Sequence, residues 1–175
     1  MTDLSSMADA VSKLLKEKGQ TVAVAESSAG GLISASLLAV PGASTYFLGG
    51  SIVYTGAARQ RLLGIEDDTI GDMRASTEPY ALLKARTVRE SLDATWGLSE
   101  TGATGPTGNR YGDAAGHVCI AITGPVERVM TLATGNADRE TNMWAFAKAA
   151  LDLLEECANE STSAIDGPFG PQLLN

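Results

Sequence analysis

The chain passes from strand to helix within the stretch Thr21-Val22-Ala23-Val24-Ala25-Glu26-Ser27-Ser28-Ala29-Gly30-Gly31. Residues 21–25 are apolar at almost every position, which is typical of a strand covered on both faces of a sheet. A helix that begins at Ser28 or Ala29 has unpaired main-chain N–H groups in its first turn, and these favour small hydroxyl side chains or a bound anion. The turn is therefore the candidate working site of the chain.

Two interpretations of this turn stay open. Glycines in a first helical turn each weaken a helix by about 1 kcal/mol relative to alanine, which is hard to explain unless a ligand approaches the backbone. Alternatively, Ser27 or Ser28 only caps the helix, and Gly30 and Gly31 allow close packing on a neighbouring strand. The turn is not the G-x-S-x-G nucleophile elbow, because its flanking residues differ.

The composition is that of a globular domain and excludes several classes of protein. The 175 residues are 44% hydrophobic and 19% charged, and they are enough for one domain with a single core. A net charge of -8 argues against non-specific binding of nucleic acid, which needs a basic face. No apolar segment is long enough to span a membrane and no secretion signal is recognisable, so we expect a cytoplasmic protein.

The hydrophobic periodicity predicts alternating helices and strands. Predicted helices cover residues 3–18, 28–40, 57–63, 76–94 and 139 onward, and predicted strands cover 21–25, 46–54, 97–101, 117–122 and 128–133. Residues 66–75 are predicted to be a polar loop, and Gly49-Gly50 indicates a bulge or a close backbone approach. This order predicts an α/β fold, a three-layer α/β/α sandwich around a mixed, mostly parallel sheet. The domain is expected to occupy residues 1–160, with a poorly ordered tail over 161–175.

A second glycine-rich segment, residues 102–113, is too rich in glycine and hydroxyl groups to be a core element. Its main-chain N–H groups would be able to converge on an anion, although it is neither a Walker loop nor a dinucleotide fingerprint. The alternative is a long hairpin loop without a ligand. Four arginines are candidates to hold an anion, unless they are only solvated surface charges: Arg59, Arg61, Arg110 and Arg139.

Other polar side chains have simpler interpretations. Lys84 and Arg86 are expected on the solvated side of their helix. The single histidine, His117, is expected to be structural, although a Ser27–His117 pair stays conceivable. With one histidine and two separated cysteines, Cys119 and Cys157, the sequence predicts no metal site, and the cysteines are expected to be small core residues in a reducing compartment.

Four motifs in order resemble the C-terminal domain of the CinA family, the competence/damage-inducible proteins. Residues 25–31 resemble the family's A-E-S-C-T-G-G, and residues 50–55 resemble its G-x-V-x-Y-S strand. Residues 101–106 resemble T-G-I-A-G-P, and Asp138-Arg139 resembles G-D-R. The likeness covers nearly the whole chain up to about residue 160.

The resemblance implies hydrolysis of the carboxamide of nicotinamide mononucleotide to nicotinate mononucleotide and ammonia, without a cofactor. The family's serine nucleophile corresponds to Ser27 and its tyrosine to Tyr54, while Arg59 stands where the family has a lysine. The resemblance further implies a homo-oligomer with a small nucleotide ligand, and from the composition we expect neither nucleic acid nor a membrane as a partner. The substrate-binding positions that it implies are Glu26, Ser28, Ala29, Gly30, Gly31, Gly102, Thr104, Gly105 and Arg139. The main-chain N–H groups of residues 29–31 are expected to stabilise the oxyanion.

Arg59 is the important departure from the family pattern. A desolvated lysine can be neutral near pH 7 and accept the serine proton, whereas arginine, with a pKa above about 12, stays protonated. Either Tyr54, Glu26 or a water activates Ser27, or the hydrolysis has been lost. Three hypotheses follow: a nicotinamide mononucleotide amidohydrolase, a catalytically silent nucleotide-binding or interaction protein, and a hydrolase of another amide or ester whose acidic group is bound by Arg59.

Overall fold

The computed structural model describes residues 3–161. The tail predicted for 161–175 therefore lies outside the described residues, apart from Ser161. The helices are α1 Leu4–Lys18, α2 Leu32–Ala39, α3 Gly56–Leu63, α4 Asp67–Ile70, α5 Glu78–Ser91 and α6 Arg139–Glu160, with a short 3-10 turn at Ala43–Thr45. The strands are β1 Val22–Glu26, β2 Phe47–Ile52, β3 Trp96–Ala103, β4 His117–Thr123 and β5 Arg128–Ala133.

The five strands form one sheet in the order β2-β1-β3-β4-β5. β1 pairs in parallel with β2 and β3, and β4 is antiparallel to both β3 and β5. Within the described residues, four strands thus run in one direction and β4 runs against them. The prediction of a mixed, mostly parallel sheet in an α/β fold is confirmed.

Helices cover both faces of the sheet, because successive side chains of a strand point to opposite faces. On one face, Val22, Val24 and Leu98 belong to the large core that α1, α2 and α6 complete. On the other face, small residues such as Ala23 and Ala25 lie under α5. The three-layer arrangement follows from this double burial.

Helix α2 begins at Leu32, four residues later than predicted. Gly30 and Gly31 have φ angles of 67° and 100°, a left-handed conformation that glycine adopts without steric cost and that a right-handed helix does not contain. The prediction that these glycines lie in the first helical turn is therefore wrong. They form the turn that leads from β1 into the helix.

Two smaller predictions have different outcomes. Gly49-Gly50 does mark a bulge, since Val22 pairs with Phe47 and Ala23 with Gly49, and a Cβ on Gly50 would lie 2.2 Å from Ser34 Oγ. The loop predicted for 66–75 contains the short helix α4. Of the helices in residues 3–161, none has the length and apolar character needed to cross a membrane.

Candidate functional site

A cavity of about 490 Å³ lies where β1 and β2 end, at the carboxyl edge that commonly holds ligands in α/β folds. Ser27, directly after β1, borders it together with Tyr54, directly after β2. The hydroxyl of Ser27 makes no hydrogen bond to any described residue. The lining also includes cationic and aromatic side chains: Arg59, Arg74, Tyr80, Arg110 and Tyr111.

A second cavity of about 200 Å³ also borders Tyr54 and extends along the glycine-rich loop. Arg139, the first residue of α6, donates from Nη2 to the Tyr54 hydroxyl at 3.1 Å and from Nη1 to the Gly105 carbonyl at 2.8 Å. The structure thus brings the turn after β1 and the loop after β3 to one place. Nine of the predicted site residues line at least one of the two cavities: Ser27, Ser28, Tyr54, Arg59, Gly102, Thr104, Gly105, Arg110 and Arg139.

Glu26 is fully buried and caps α2. One carboxylate oxygen accepts the N–H groups of Gly31 and Ile33 at 2.9 and 3.1 Å, and the other accepts the N–H and hydroxyl of Ser34 at 2.8 and 2.6 Å. Burial raises the pKa of Glu26 above its ordinary value, although the hydrogen bonds from Ser34 and Ile33 oppose this shift. The prediction that Ser27 or Ser28 caps the helix is wrong, because a side chain from the strand does so.

Glu100, which the sequence analysis missed, is the second buried carboxylate at this turn. Its carboxylate accepts the N–H of Ser27 at 2.9 Å, the N–H of Ala29 at 3.0 Å and the hydroxyl of Ser28. A glutamate within the otherwise uncharged strand β3 was the available signal, because a buried carboxylate requires several donors. These donors are the residues of the candidate working turn itself.

The main-chain N–H groups of residues 29–31 are therefore already engaged. Ala29 donates to Glu100, Gly30 donates to the carbonyl of Ser27 at 3.1 Å, and Gly31 donates to Glu26. The expectation that they stabilise an oxyanion is contradicted, because a donor directed at a protein carboxylate is not directed at a substrate. Glu26 and residues 29–31 line neither cavity.

Arg59 is buried and is held by neighbouring residues. Its Nε donates to the carbonyl of Ile65 at 3.0 Å, and its Nη2 forms an ion pair with Asp67 at the start of α4. Within residues 3–161, no hydrogen bond joins Arg59 to Ser27. Arg59 thus fixes α3 to α4 and contributes positive charge to the cavity, but it does not act on the serine hydroxyl in this arrangement.

Lys84 is fully buried, and the prediction that it lies on the solvated side of its helix is wrong. Its Nζ donates to the main-chain carbonyl of Glu100 at 2.7 Å. Burial lowers its pKa to about 8, against the opposing effect of the carboxylates of Glu100 and Glu26. The small residues Ala81 and Ala85, which share the buried face of α5, leave room for the long side chain. Arg86 is exposed, as expected.

The glycine-rich loop is held in place by Asp113. Arg74 donates to both of its carboxylate oxygens at 2.6 and 3.1 Å, and Asn109 Nδ2 donates to it at 2.8 Å. The Arg74 guanidinium lowers the pKa of Asp113 to about 2. His117 contacts the carbonyl of Ser76 through Nε2 at 2.9 Å, so the alternative of a Ser27–His117 pair is wrong.

The remaining candidate groups are structural. Cys119 and Cys157 are buried free thiols, as expected for small core residues. Among the residues that the structure describes, no group of histidine, cysteine and carboxylate side chains has an arrangement that would hold a metal ion. The catalytic and binding roles of the residues at the two cavities stay predictions.

The chain is similar to proteins of one family. The family model of the CinA C-terminal domain matches residues 4–158. A CinA-like protein of Prochlorococcus marinus is 42% identical over 124 residues, which are 71% of this chain and 29% of that protein. A CinA-like protein of Gloeobacter violaceus is 38% identical over 154 residues, 87% of this chain and 36% of that protein. The chain thus spans about a third of the length of these relatives.

Solved structures agree with this assignment. A competence/damage inducible protein from Agrobacterium tumefaciens is 26% identical with a TM-score of 0.80, and the match covers 91% of this chain and 98% of that one. The competence damage-inducible protein A from Klebsiella pneumoniae has a TM-score of 0.84 over 91% of this chain and 99% of that one; at 21% identity it supports the fold alone. With a family model that matches almost the whole described chain, the protein belongs to the CinA C-terminal domain family.

Proposed function

We propose that this protein is a serine-dependent amidohydrolase that converts nicotinamide mononucleotide to nicotinate mononucleotide and ammonia. The observation that carries the proposal is the position of Ser27, whose hydroxyl is unpaired among the described residues and borders a cavity of about 490 Å³. The guanidinium group of Arg110 at this cavity has no hydrogen bond or ion pair among the described residues and suits a phosphate, and the ring of Tyr111 suits a flat pyridine. Family membership supports the same chemistry.

The proposed reaction has two steps. The Ser27 oxygen attacks the carboxamide carbon, and the carbonyl electron pair moves to oxygen; collapse breaks the C–N bond and releases ammonia with the serine proton. A water molecule then attacks the ester, and the breaking C–O bond restores the serine hydroxyl and yields the carboxylic acid. The reaction consumes one water molecule and needs no oxidant or cofactor.

A second candidate function is a catalytically silent nucleotide-binding or interaction protein. Two observations favour it: Arg59 is occupied by Ile65 and Asp67, and the N–H groups of residues 29–31 are occupied by the protein itself. The cavity and its arginines would then serve binding only.

The test is ammonia release from nicotinamide mononucleotide, measured with wild-type protein and with Ser27→Ala, alongside calorimetric binding of the same nucleotide. Turnover that Ser27→Ala abolishes supports the amidohydrolase. Binding without turnover in the wild type, with turnover gained in Arg59→Lys, establishes the silent protein instead. If the protein neither binds nor hydrolyses nicotinamide mononucleotide but hydrolyses other amides or esters, its substrate is a different compound.

A further inference from the structure

A buried ammonium group beneath the candidate site has no role in the chemistry described so far. Lys84 has no exposed surface. Among the lysines and arginines of residues 3–161, it is the only one that is fully buried. Burying an ammonium group is costly unless charges and hydrogen bonds compensate for it. Lysines are suited to such positions when their function requires a neutral amine, because burial favours that form.

The position of Lys84 links it to the serine turn. Its Nζ donates to the carbonyl of Glu100, while the carboxylate of the same glutamate accepts the N–H of Ser27. Lys84 and Ser27 thus both bind Glu100, Lys84 at the main-chain carbonyl and Ser27 at the side-chain carboxylate. The next residue of β3, Thr101, borders the same cavity as Ser27.

Both side chains also lie on one side of the sheet. Ala23 and Ala25 of β1 pack on the face covered by α5, and continuing the alternation one residue past the end of β1 places Ser27 on that face. Lys84 reaches Glu100 of β3 from α5 on that same face, where Ser99 donates to the carbonyl of Ala81. The Ser27 hydroxyl has no hydrogen-bond partner among the described residues, so no such bond opposes its rotation.

We infer that Lys84 is the proton acceptor for Ser27, in the role that Arg59 cannot fill. The inference rests on the proposed serine chemistry, and it assigns the role to a residue of α5 rather than to the position after Tyr54. As the Ser27 oxygen forms its bond to the carbonyl carbon, its proton moves to the neutral Nζ. When the C–N bond breaks, the resulting ammonium returns a proton to the departing nitrogen, which leaves as ammonia.

Several charged groups face Lys84, and together they set the pH at which it becomes neutral. The carboxylates of Glu100 on β3 and Glu26 on β1 favour the ammonium, whereas burial favours the amine. On its own helix, the ring of Tyr80 lies 5.4 Å from Nζ. The balance puts the pKa at about 8, so the active neutral form increases as the pH rises through this value.

The experiment uses the reactivity of Ser27 and does not depend on the natural substrate. An alkyl fluorophosphonate, which forms a P–O bond with an activated serine and releases fluoride, is incubated with the full-length protein at pH 6 to 10. Modification of Ser27 is followed by mass spectrometry. We expect the rate to rise as the pH passes through about 8 and to level off only at higher pH, where Lys84 is fully neutral. In Lys84→Met the rate should fall by ~100-fold or more, the usual contribution of a general base.

Two further variants separate proton transfer from other effects. Lys84→Arg keeps the positive charge but cannot become neutral, so it should lose labelling as Lys84→Met does. Lys148→Met, which removes an exposed lysine of α6, is the matched control and should label at the wild-type rate. The pH profile of the wild type needs no substitution, so it tests the inference even where a Lys84 variant fails to fold.

The outcomes are distinguishable from those of the proposed function. A wild-type protein that is not labelled, a rate that does not change with pH, or full labelling of folded Lys84→Met or Lys84→Arg overturns the inference. Labelling that depends on Lys84, without ammonia release from nicotinamide mononucleotide, supports the inference and rejects only the proposed substrate.

Discussion

Arg139 and Tyr54 lie 85 positions apart in the chain and are joined by a hydrogen bond of 3.1 Å from guanidinium Nη2 to the phenolic oxygen. The same guanidinium binds the carbonyl of Gly105, so one side chain connects the strand end at β2 with the glycine-rich loop. This connection defines the boundary between the two cavities, since Tyr54 borders both. Its loss should therefore affect ligand binding more than folding.

Tyr54→Phe removes the hydroxyl that accepts this bond. We expect the KM for nicotinamide mononucleotide to rise by about 10-fold, the equivalent of one hydrogen bond of about 1.4 kcal/mol, with little change in unfolding free energy because Tyr54 is exposed. Steady-state ammonia release and urea denaturation measure the two effects. Tyr111→Phe is the control, because its hydroxyl has no recorded partner in the described residues; an equal rise in KM there would contradict the assigned role of Arg139.

Arg59→Lys tests whether the arginine is a structural link between α3 and α4. Lysine cannot reproduce both the Nε bond to Ile65 and the pairing with Asp67, so the free energy of unfolding should fall by about 1–2 kcal/mol. Arg61→Lys, on the exposed side of the same helix, should change stability by less than about 0.5 kcal/mol. Urea denaturation of both variants gives the comparison, and equal effects would refute the structural role.

Glu100→Gln tests whether the Glu100 carboxylate stabilises the turn formed by residues 27–29. Glutamine keeps one acceptor oxygen, but its amide nitrogen cannot accept an N–H group in place of the other, and the buried ammonium of Lys84 loses a nearby carboxylate. We expect the unfolding free energy to fall by about 1–3 kcal/mol, the cost of leaving a buried donor without its acceptor. In the control, Glu127→Gln, an exposed pair with Arg86 is lost, and the effect should be much smaller. Chemical denaturation at pH 7 measures the unfolding free energy of both variants. Similar decreases would show that Glu100 does not stabilise the turn.

The lowered pKa of Asp113 predicts that the stability of the protein depends on pH in the acid range. Its pKa is lowered from 3.8 to about 2, so its contribution is complete above pH 4 and is lost as the pH falls toward 2. The difference in urea midpoint between wild type and Asp113→Asn should therefore be constant from pH 5 to 7 and shrink between pH 4 and 2. A difference that persists unchanged at pH 2 would show that the ion pair with Arg74 does not cause it.

The sequence was sufficient to predict most of the architecture. Periodicity located the helices and strands, and the glycine pair at 49–50 correctly indicated the bulge in β2. The motifs also predicted that Ser27 and Tyr54 follow the ends of two strands. These features depend on local patterns, which are visible in a single chain.

The electrostatics of the turn could not be predicted in the same way. Glu26 looked like a ligand contact and Lys84 like a solvated charge, because neither residue type is expected to be fully buried. Their roles depend on contacts with distant positions, such as the 72 positions between Ser28 and Glu100. Only the folded chain shows that the carboxylates of Glu26 and Glu100 accept the main-chain N–H groups that the motif predicted to bind a ligand.

Ser28 and Lys84 each make a buried hydrogen bond to Glu100, one to its carboxylate and one to its main-chain carbonyl, and this arrangement has an evolutionary consequence. Replacing Glu100 alone removes a carboxylate that favours the buried ammonium of Lys84 and takes the acceptor from the Ser28 hydroxyl, which is a destabilising intermediate for an evolving sequence. We therefore expect these three positions to covary across homologous lineages: where Glu100 is exchanged for an uncharged residue, the lysine should disappear with it and a weaker donor should replace the serine.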